Sequence, residues 1–515
     1  MRYPVESFTP EEQSLLAPYF TNLDQPVFAL TNLPETVKGA LFARYSRYGG
    51  TLRRLYLDEF AADAAAADPD GLLTPFDGEE GQRAAKLYES VFLGYGDDSI
   101  AQLGGAHVAC EWVSNILTKV LQRGRLAAYL EQSTRYIAYD QEMPGGGYRY
   151  LRGEVPDNRF ESAMDEIFRI YSHSLSEVES WAAERWPLGE GEPEGPWRRS
   201  IKAKSLDLLR GLLPAATLSH VGIYASGQAW EQLLFRMMAS PLPEARRFGG
   251  MILDELNKVI PSFVSRVGRP DRGGAWISFL EERRQATSDW VERLGLADRE
   301  SEDAGPTVEL TRVRGTEDDL LSGCLFEEAD TSEARIRERI ARLDSGQREA
   351  LMAAMIGDRF EIVSDYGAFR DLQRHRMLTC QWQSLTPDLG AGVPDEVHEA
   401  GVGGAYEQAL EISRNEYERL RDEGHPELAP YALCLGYRIR YVLDLNAREA
   451  MQLIELRSGR EGHPTYRAVA QAMHDAIAEV HPAVAGAMNH LDISTEPRLE
   501  RMLSEIRTHH KQLAA

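Results

Sequence analysis

Two stretches of this chain share one pattern, and each keeps a different part of it. Residues 123–136 read Arg-Gly-Arg-Leu-Ala-Ala-Tyr-Leu-Glu-Gln-Ser-Thr-Arg-Tyr, and residues 374–387 read Arg-His-Arg-Met-Leu-Thr-Cys-Gln-Trp-Gln-Ser-Leu-Thr-Pro. Both begin with two arginines that flank one residue, and both have serine at the eleventh position. A pattern that occurs twice indicates an internal duplication, so we expect two tandem repeats.

The composition of the chain is that of a large enzyme without a nucleic-acid or membrane surface. Its 515 residues, of which 43% are hydrophobic and 27% charged, can form two or more domains. The formal net charge of -24 repels nucleic-acid polymers and anionic lipids. The sequence has no long uncharged apolar stretch and no apolar segment near its amino terminus, so we expect a cytoplasmic protein. Clustered arginines in so acidic a chain suggest a local pocket for a small anion.

The cysteines give no sign of a disulfide framework or a zinc site. They are spread along the chain without a Cys-x-x-Cys pair, at Cys110, Cys324, Cys380 and Cys434. We therefore expect reduced thiols and no bound metal.

A few strand and helix patterns indicate where the repeats begin. Residues 308–315 alternate apolar and polar side chains, which is typical of a half-buried strand. A strand at 26–30, followed by a helix at 34–43 with proline at its start, begins the first repeat. The charged stretch between the repeats is typical of a solvated linker. We expect an amino-terminal arm (1–25), a first repeat (26–285), a linker (286–305) and a second repeat (306–515).

The paired stretches resemble the signature of flavin-dependent thymidylate synthases, Arg-His-Arg-x-x-Ser-x-Asn-Glu-x-Ser-x-Arg-Tyr. The first stretch keeps six of the nine defined positions and departs from them at Gly124, Ala128 and Leu130. The second keeps only the opening Arg-His-Arg and Ser384. The two stretches therefore match opposite ends of the signature.

Two further segments strengthen this resemblance. Residues 446–457 begin with Asn-Ala-Arg and end in arginine, like the family's Asn-Ala-Arg helix, and we expect both ends to project from one helical face. The first repeat offers residues 225–236 at this place and keeps only the final Arg236. In contrast, Arg210 resembles a family arginine that binds the nucleotide phosphate, whereas its second-repeat counterpart, residues 430–434, has no arginine.

The resemblance implies a helix-rich α+β fold made of two thymidylate synthase-like repeats, each a small sheet with long helices. In the family, subunits of a homotetramer grip one nucleotide from two sides. The first repeat would supply the nucleotide side with Glu131, Gln132, Ser133, Thr134, Arg135 and Arg210. The second repeat would bring Arg374 and Arg457 to the nucleotide. It would also hold the flavin, with Arg374, His375, Arg376, Asn446, Arg448 and Gln452. Ser99 of the first repeat matches a flavin-side threonine of the family. Facing repeats would form one complete and one degenerate site, and two chains would form a homodimer.

The chemistry of arginine suits these implied ligands. Its planar, permanently charged guanidinium binds phosphate through paired hydrogen bonds. Arg457 is the expected catalytic residue, because a cation beside N3 of the pyrimidine favours ionised N3 and directs electron density towards C5.

The leading interpretation is reductive methylation of dUMP to dTMP with FAD, methylene-tetrahydrofolate and NADPH, which carry out the carbon and hydride transfers. Two alternatives stay open, the same chemistry on another pyrimidine nucleotide and a non-catalytic nucleotide-binding relative.

Overall fold

Each repeat forms one four-stranded antiparallel sheet. The computed structural model describes residues 3–33, 35–61, 102, 104–143, 146–154, 158–294, 305–313, 333–344, 347, 357–375 and 377–514. The first sheet has the order β1-β2-β4-β3, and its strands are β1 (Val27–Leu30), β2 (Gly105–Ser114), β3 (Ala127–Glu131) and β4 (Leu218–Ser226). The second has the order β5-β6-β8-β7, and its strands are β5 (Thr307–Val313), β6 (Gly357–Asp365), β7 (Thr379–Trp382) and β8 (Arg438–Asn446). The identical order confirms the duplicated α+β fold, and β1 and β5 lie where the sequence predicted them.

Helices account for most of the remaining described residues. In the amino-terminal arm and the first repeat they span Pro10–Leu16, Glu35–Tyr45, Leu52–Leu55, Asn115–Leu121, Asn158–Arg185, Glu194–Leu209, Gly227–Met238, Pro243–Val259, Pro261–Val264 and Ala275–Arg293. In the second repeat they span Glu333–Ile340, Tyr366–Leu372, Asp395–Glu399, Gly403–Asp422, Ala447–Ser458, Pro464–Val480, Pro482–Gly486 and Met502–Ala514. Short 3-10 turns occupy Arg210–Leu212 and Ala429–Ala432. The helix predicted at 34–43 is confirmed.

A polar residue ends each long central strand and caps the helix that follows it. Ser114 ends β2, and its hydroxyl accepts a hydrogen bond of 3.0 Å from the backbone of Leu117. Asp365 ends β6, and its carboxylate accepts one of 2.8 Å from Ala368. Such caps satisfy backbone donors that the first helical turn leaves unpaired. The two repeats therefore use one strand-to-helix joint with different side chains.

The same joint follows β4 and β8, and it fixes how these parts of the repeats align. Ser226 accepts a hydrogen bond from the backbone of Ala229 at 3.4 Å, and Asn446 accepts one from Glu449 at 3.0 Å. Ser226 therefore corresponds to Asn446.

The chain divides into two compact units, and each contains segments of both repeats. The first unit comprises Met1–Phe168, Pro214–Arg299 and Asn415–Ala432, and the second comprises Arg169–Leu213, Glu300–Arg414 and Leu433–Ala515. In the second unit, the helix Glu194–Leu209 packs against the helix Met502–Ala514. Lys204 also pairs with Glu396 at 2.7 Å and with Glu500 at 3.0 Å. The compact units thus differ from the repeats at 26–285 and 306–515, because each repeat contributes a helical segment to the unit that holds the other repeat's sheet.

The core of the first unit also includes residues that were predicted to form an added arm. Leu16 and Phe20 are buried in one cluster with Phe28 of β1 and with Tyr45. Several apolar side chains of residues 3–25 are therefore part of this core.

The predicted linker begins inside a helix. The helix Ala275–Arg293 extends into the stretch 286–305, and none of its side chains is fully buried. Residues 295–304 lie outside the described residues. Among the described helices none is long and apolar enough to span a bilayer, and the described residues contain no cluster of metal-ligating side chains.

Candidate active site

Most of the predicted flavin-side residues lie in the second compact unit, where His375 contacts two other side chains. Its Nδ1 atom is 3.2 Å from Oε1 of Glu449, and its Nε2 accepts a hydrogen bond of 3.0 Å from Nε of Arg457. The guanidinium of Arg457 also lies 5.6 Å from the ring centre of Tyr466. The structure thus joins the Arg-His-Arg stretch to the end of the Asn-Ala-Arg helix.

Arg210, which belongs to the first repeat, lies in the same unit and meets two carboxylates of the second repeat. Its Nη1 is 3.1 Å from Oδ2 of Asp371, and its Nη2 is 3.7 Å from Oδ1 of Asp365. It also donates a hydrogen bond of 3.4 Å to Thr465. Asp371 binds Arg374 as well, so one carboxylate links the arginine predicted for phosphate to an arginine predicted for the flavin.

Burial shapes the charges in this cluster. It lowers the pKa of His375, although the hydrogen bond that His375 donates to Glu449 opposes this effect. It also lowers the pKa of Arg457, and nearby Arg374 adds to that shift. Burial raises the pKa of Asp365 against the attraction of Arg210. Each shift reflects the cost of keeping a charge away from water, so the neutral form of His375 is favoured.

The helix Ala447–Ser458 presents other predicted residues differently from the expectation. Arg448 and Gln452 are exposed and lie one turn apart on the surface. Asn446 precedes the helix, and its side chain caps it. The expectation that Asn446 and Arg457 project from one helical face is therefore wrong, because a capping side chain turns back to the helix end.

Five predicted nucleotide-side residues lie in the first compact unit, and the first two are buried. Glu131 is 3.1 Å from Nζ of Lys119 and accepts a hydrogen bond of 3.0 Å from Gln122. Gln132 donates to the backbone oxygen of Tyr48 at 2.6 Å. Their side-chain contacts therefore hold the strand end in place.

The remaining three form the turn that follows. Ser133 accepts a hydrogen bond of 3.2 Å from the backbone of Arg135, and both residues are partly exposed. Thr134 between them is buried. The side chains of this turn that can meet a ligand are those of Ser133 and Arg135.

The capped helices correct one pairing made from the sequence. Because Ser226 aligns with Asn446, the residue in register with Arg457 is the buried Met237 rather than Arg236. The side chain of Arg236 still reaches Gly124, since a Cβ atom there would lie 3.5 Å from its Nη2.

Two predicted flavin-side residues, Ser99 and Arg376, lie outside the described residues, as does Cys324. Cys110 and Cys434 are buried thiols, and Cys380 is partly buried.

A cavity of about 550 Å³ adjoins the Arg210 cluster within the second unit. Arg210, Asp365 and Thr465 line one part of it, and apolar side chains such as Val308 and Val469 line much of the rest. A volume of this size is typical of small-molecule sites, which lie in roughly the range 300–1,000 Å³.

Sequence reasoning missed the acidic partners of this site. Asp371 lies three residues before Arg374 at the end of one helix, and Glu449 follows the capping Asn446 by three residues. Their local spacing is visible in the sequence, but their bonds to Arg210 and His375 join residues far apart in the chain.

Comparison with known proteins identifies the family. The family model described as "Thymidylate synthase complementing protein" matches residues 56–262 and 322–483. The chain belongs to this family. Two matched regions within one chain agree with the duplication, and membership supports a thymidylate synthase-like methyltransferase.

Several curated relatives have the same long form. A "UPF0159 protein" of Chlamydia muridarum is 34% identical over 97% of this chain and 98% of its own length. The "UPF0159 protein Ta1429" of Thermoplasma acidophilum is 29% identical over 91% of this chain and 98% of its own length.

Among solved structures, a UMP/dUMP methylase PolB from Streptomyces cacaoi bound with 5-Br dUMP is 20% identical and has a TM-score of 0.29. It covers 37% of this chain and 97% of its own.

Proposed function

We propose that the protein converts dUMP to dTMP, with methylene-tetrahydrofolate as carbon donor, FAD as cofactor and NADPH as reductant, in the cytoplasm. In this reaction the C5–H bond of the uracil ring breaks and a C5–methyl bond forms. The methylene group leaves the folate, NADPH is oxidised, and tetrahydrofolate and NADP⁺ are released. The observation that carries the proposal is that Arg210 and Arg374 both pair with Asp371, which brings complementary motifs of the two repeats into one compact unit.

The donor set on the surface of the second unit fits a flavin. The side chain of Arg374 is 36% exposed, and Arg448 and Gln452 are exposed on the neighbouring helix. Leu456, 60% exposed, adds apolar surface for a planar ring. We assign the pyrophosphate of FAD to Arg374 and Arg448, because guanidinium groups bind phosphate oxygens in pairs. Bound FAD would supply hydride transfer.

The chain's own residues would bind and polarise the nucleotide. Arg135 and Ser133 would offer a cation and a hydroxyl to its phosphate. Arg457 would stabilise the negative charge that develops on the pyrimidine as C5 becomes nucleophilic. Its burial strengthens this effect, because electrostatic interactions are stronger where water is excluded.

The test is direct. We expect the purified protein to carry FAD, and we expect its reduced flavin to be reoxidised faster when dUMP and methylene-tetrahydrofolate are added together, with dTMP as the product. UMP and dCMP serve as alternative substrates in the same assay, and preferred turnover of either would replace dUMP in the proposal. A protein that binds dUMP but gives no methylated product with any of them would instead be a nucleotide-binding relative.

A further inference from the structure

We propose that Glu449 and His375 are positioning residues that fix the guanidinium of Arg457, and that His375 does not bind the flavin through its ring nitrogens. The catalytic part of this inference rests on the proposed function. The sequence resemblance had placed His375 among the flavin ligands, and it gave no role to Glu449.

The hydrogen bonds define the tautomer of His375. A neutral imidazole has one donor and one acceptor nitrogen. Arginine can only donate, so Nε2 of His375 must be the acceptor for Arg457. Nδ1 then carries the proton and donates it to Oε1 of Glu449. Both ring nitrogens are therefore bonded inside the protein, and neither is left for a cofactor.

Glu449, His375 and Arg457 are held in place by burial and by the helix that carries two of them. Glu449 has a side chain only 4% exposed, and its backbone N–H donates to Asn446 at the start of the helix. Arg457 lies at the end of the same helix, about two turns further on. His375, with a side chain 6% exposed, spans the distance between them. An acidic residue orients a catalytic histidine in the same way. Here the histidine in turn orients an arginine.

The charges around His375 make the arrangement sensitive to protonation. Glu449 and Arg457 face it from the helix Ala447–Ser458, and Arg374 lies beside it in the chain. Asp371, Arg374 and Tyr466 face Arg457 in turn. A proton on Nε2 would point at the N–H of Arg457 and would abolish their hydrogen bond.

The direction of the expected pH effect follows from this geometry. Burial lowers the pKa of His375, so the neutral imidazole persists below the usual histidine value of about 6.5. Turnover should be intact above the lowered pKa and should fall as the pH drops through it. Glu449 favours the protonated form, so its neutralisation should move this acid limb to still lower pH.

Three variants test the proposal. In His375→Leu, kcat should fall by about 10²-fold through misplacement of Arg457, with full flavin content and little change in KM for dUMP. His375→Gln keeps an acceptor for Arg457, so it should regain much of the rate and lose the acid limb. Glu449→Gln should keep flavin and shift the limb to lower pH. Glu455→Gln, on the same helix but bonded to the backbone of His490, is the matched control and should resemble the wild type.

A readout without turnover separates this inference from the proposed function. Nitrogen-15 NMR of histidine-labelled protein, with the His375 signals assigned by their loss in His375→Gln, should show a neutral ring protonated at Nδ1 at neutral pH. A ring protonated at Nε2, or a charged ring, would overturn the inference even in an active enzyme. Loss of flavin from His375→Leu, with the Glu455→Gln control loaded, would also overturn it. Absence of turnover together with the Nδ1 tautomer would count against the proposed function only.

Discussion

Corresponding places in the two repeats hold different chemistry. In the second compact unit, Nε of Arg457 donates to His375, which Glu449 supports. In the first, glycine stands where His375 would be, and a Cβ atom on Gly124 would lie 2.7 Å from the hydroxyl of Tyr129. The residue in register with Arg457 is the buried Met237, and Nε of the neighbouring Arg236 is buried with no hydrogen-bond partner among the described residues. One repeat has therefore kept the partners that orient an arginine, and the other has replaced them with packing.

The strand-to-helix joint shows the same contrast. In the second unit, Arg210 lies between Asp365 and Asp371. In the first unit, Tyr431 from the matching 3-10 turn donates to Glu244 at 2.7 Å. Burial raises the pKa of Glu244, and its partner here is a hydroxyl instead of the arginine found in the second unit. After the duplication, an arginine that pairs with carboxylates has thus remained in only one of the two joints.

The largest expected effect is the loss of stability when Arg210 is removed from this joint. Arg210→Ala should lower the free energy of unfolding by about 3–5 kcal/mol, because it leaves two carboxylates without their buried cation. Tyr431→Phe removes one neutral donor and should cost about 1–3 kcal/mol. Urea unfolding followed by circular dichroism compares the two. Equal losses would mean that the ion pair has no special structural role.

Substitution of the two arginines near the helix ends, Arg457 and Arg236, should affect turnover very differently. Arg457→Ala should lower kcat by about 10²–10³-fold, as loss of a transition-state donor does, with a modest loss of dUMP affinity. Arg236→Ala should be mild. Steady-state kinetics on flavin-loaded protein decides the matter. An inactive Arg236→Ala enzyme that binds both ligands would show that the first unit holds the working site.

Much of this site could be predicted from the sequence, because its motifs are local. The strand at 308–315, the helix that carries the Asn-Ala-Arg segment and the survival of Arg374 and His375 were all visible in short stretches. The mixed compact units were not, since pairs such as Lys204 with Glu500 join distant segments. The one-residue error at Arg236 arose because the sequence does not show which residue caps the helix.

Flavin content should follow the second repeat alone. Arg374→Ala removes the charge-assisted contact that we propose with FAD and should weaken binding by about 1.5–3 kcal/mol, whereas Arg123→Ala should leave the flavin in place. The ratio of flavin absorbance to protein in the purified variants measures this. Similar flavin loss from both variants would contradict the assignment of the cofactor to one repeat.

Nucleotide affinity should depend on the first repeat and should change less. Ser133→Ala is expected to weaken dUMP binding by about 1 kcal/mol and Arg135→Ala by about 1.5–3 kcal/mol, because the second contact is charge-assisted. Flavin content should be unchanged in both. Calorimetric titration with dUMP gives the affinities, and wild-type values for both variants would remove this turn from the site.

The most direct measurement is the number of ligands that one chain binds. We propose a homodimer with one complete site per chain, since each repeat has kept only one half of the signature. Calorimetric titration of the flavin-loaded protein, with its mass determined by light scattering, should give one dUMP and one FAD per chain in a particle of two chains. Two dUMP or two FAD per chain would contradict the account, because both repeats would then form working sites.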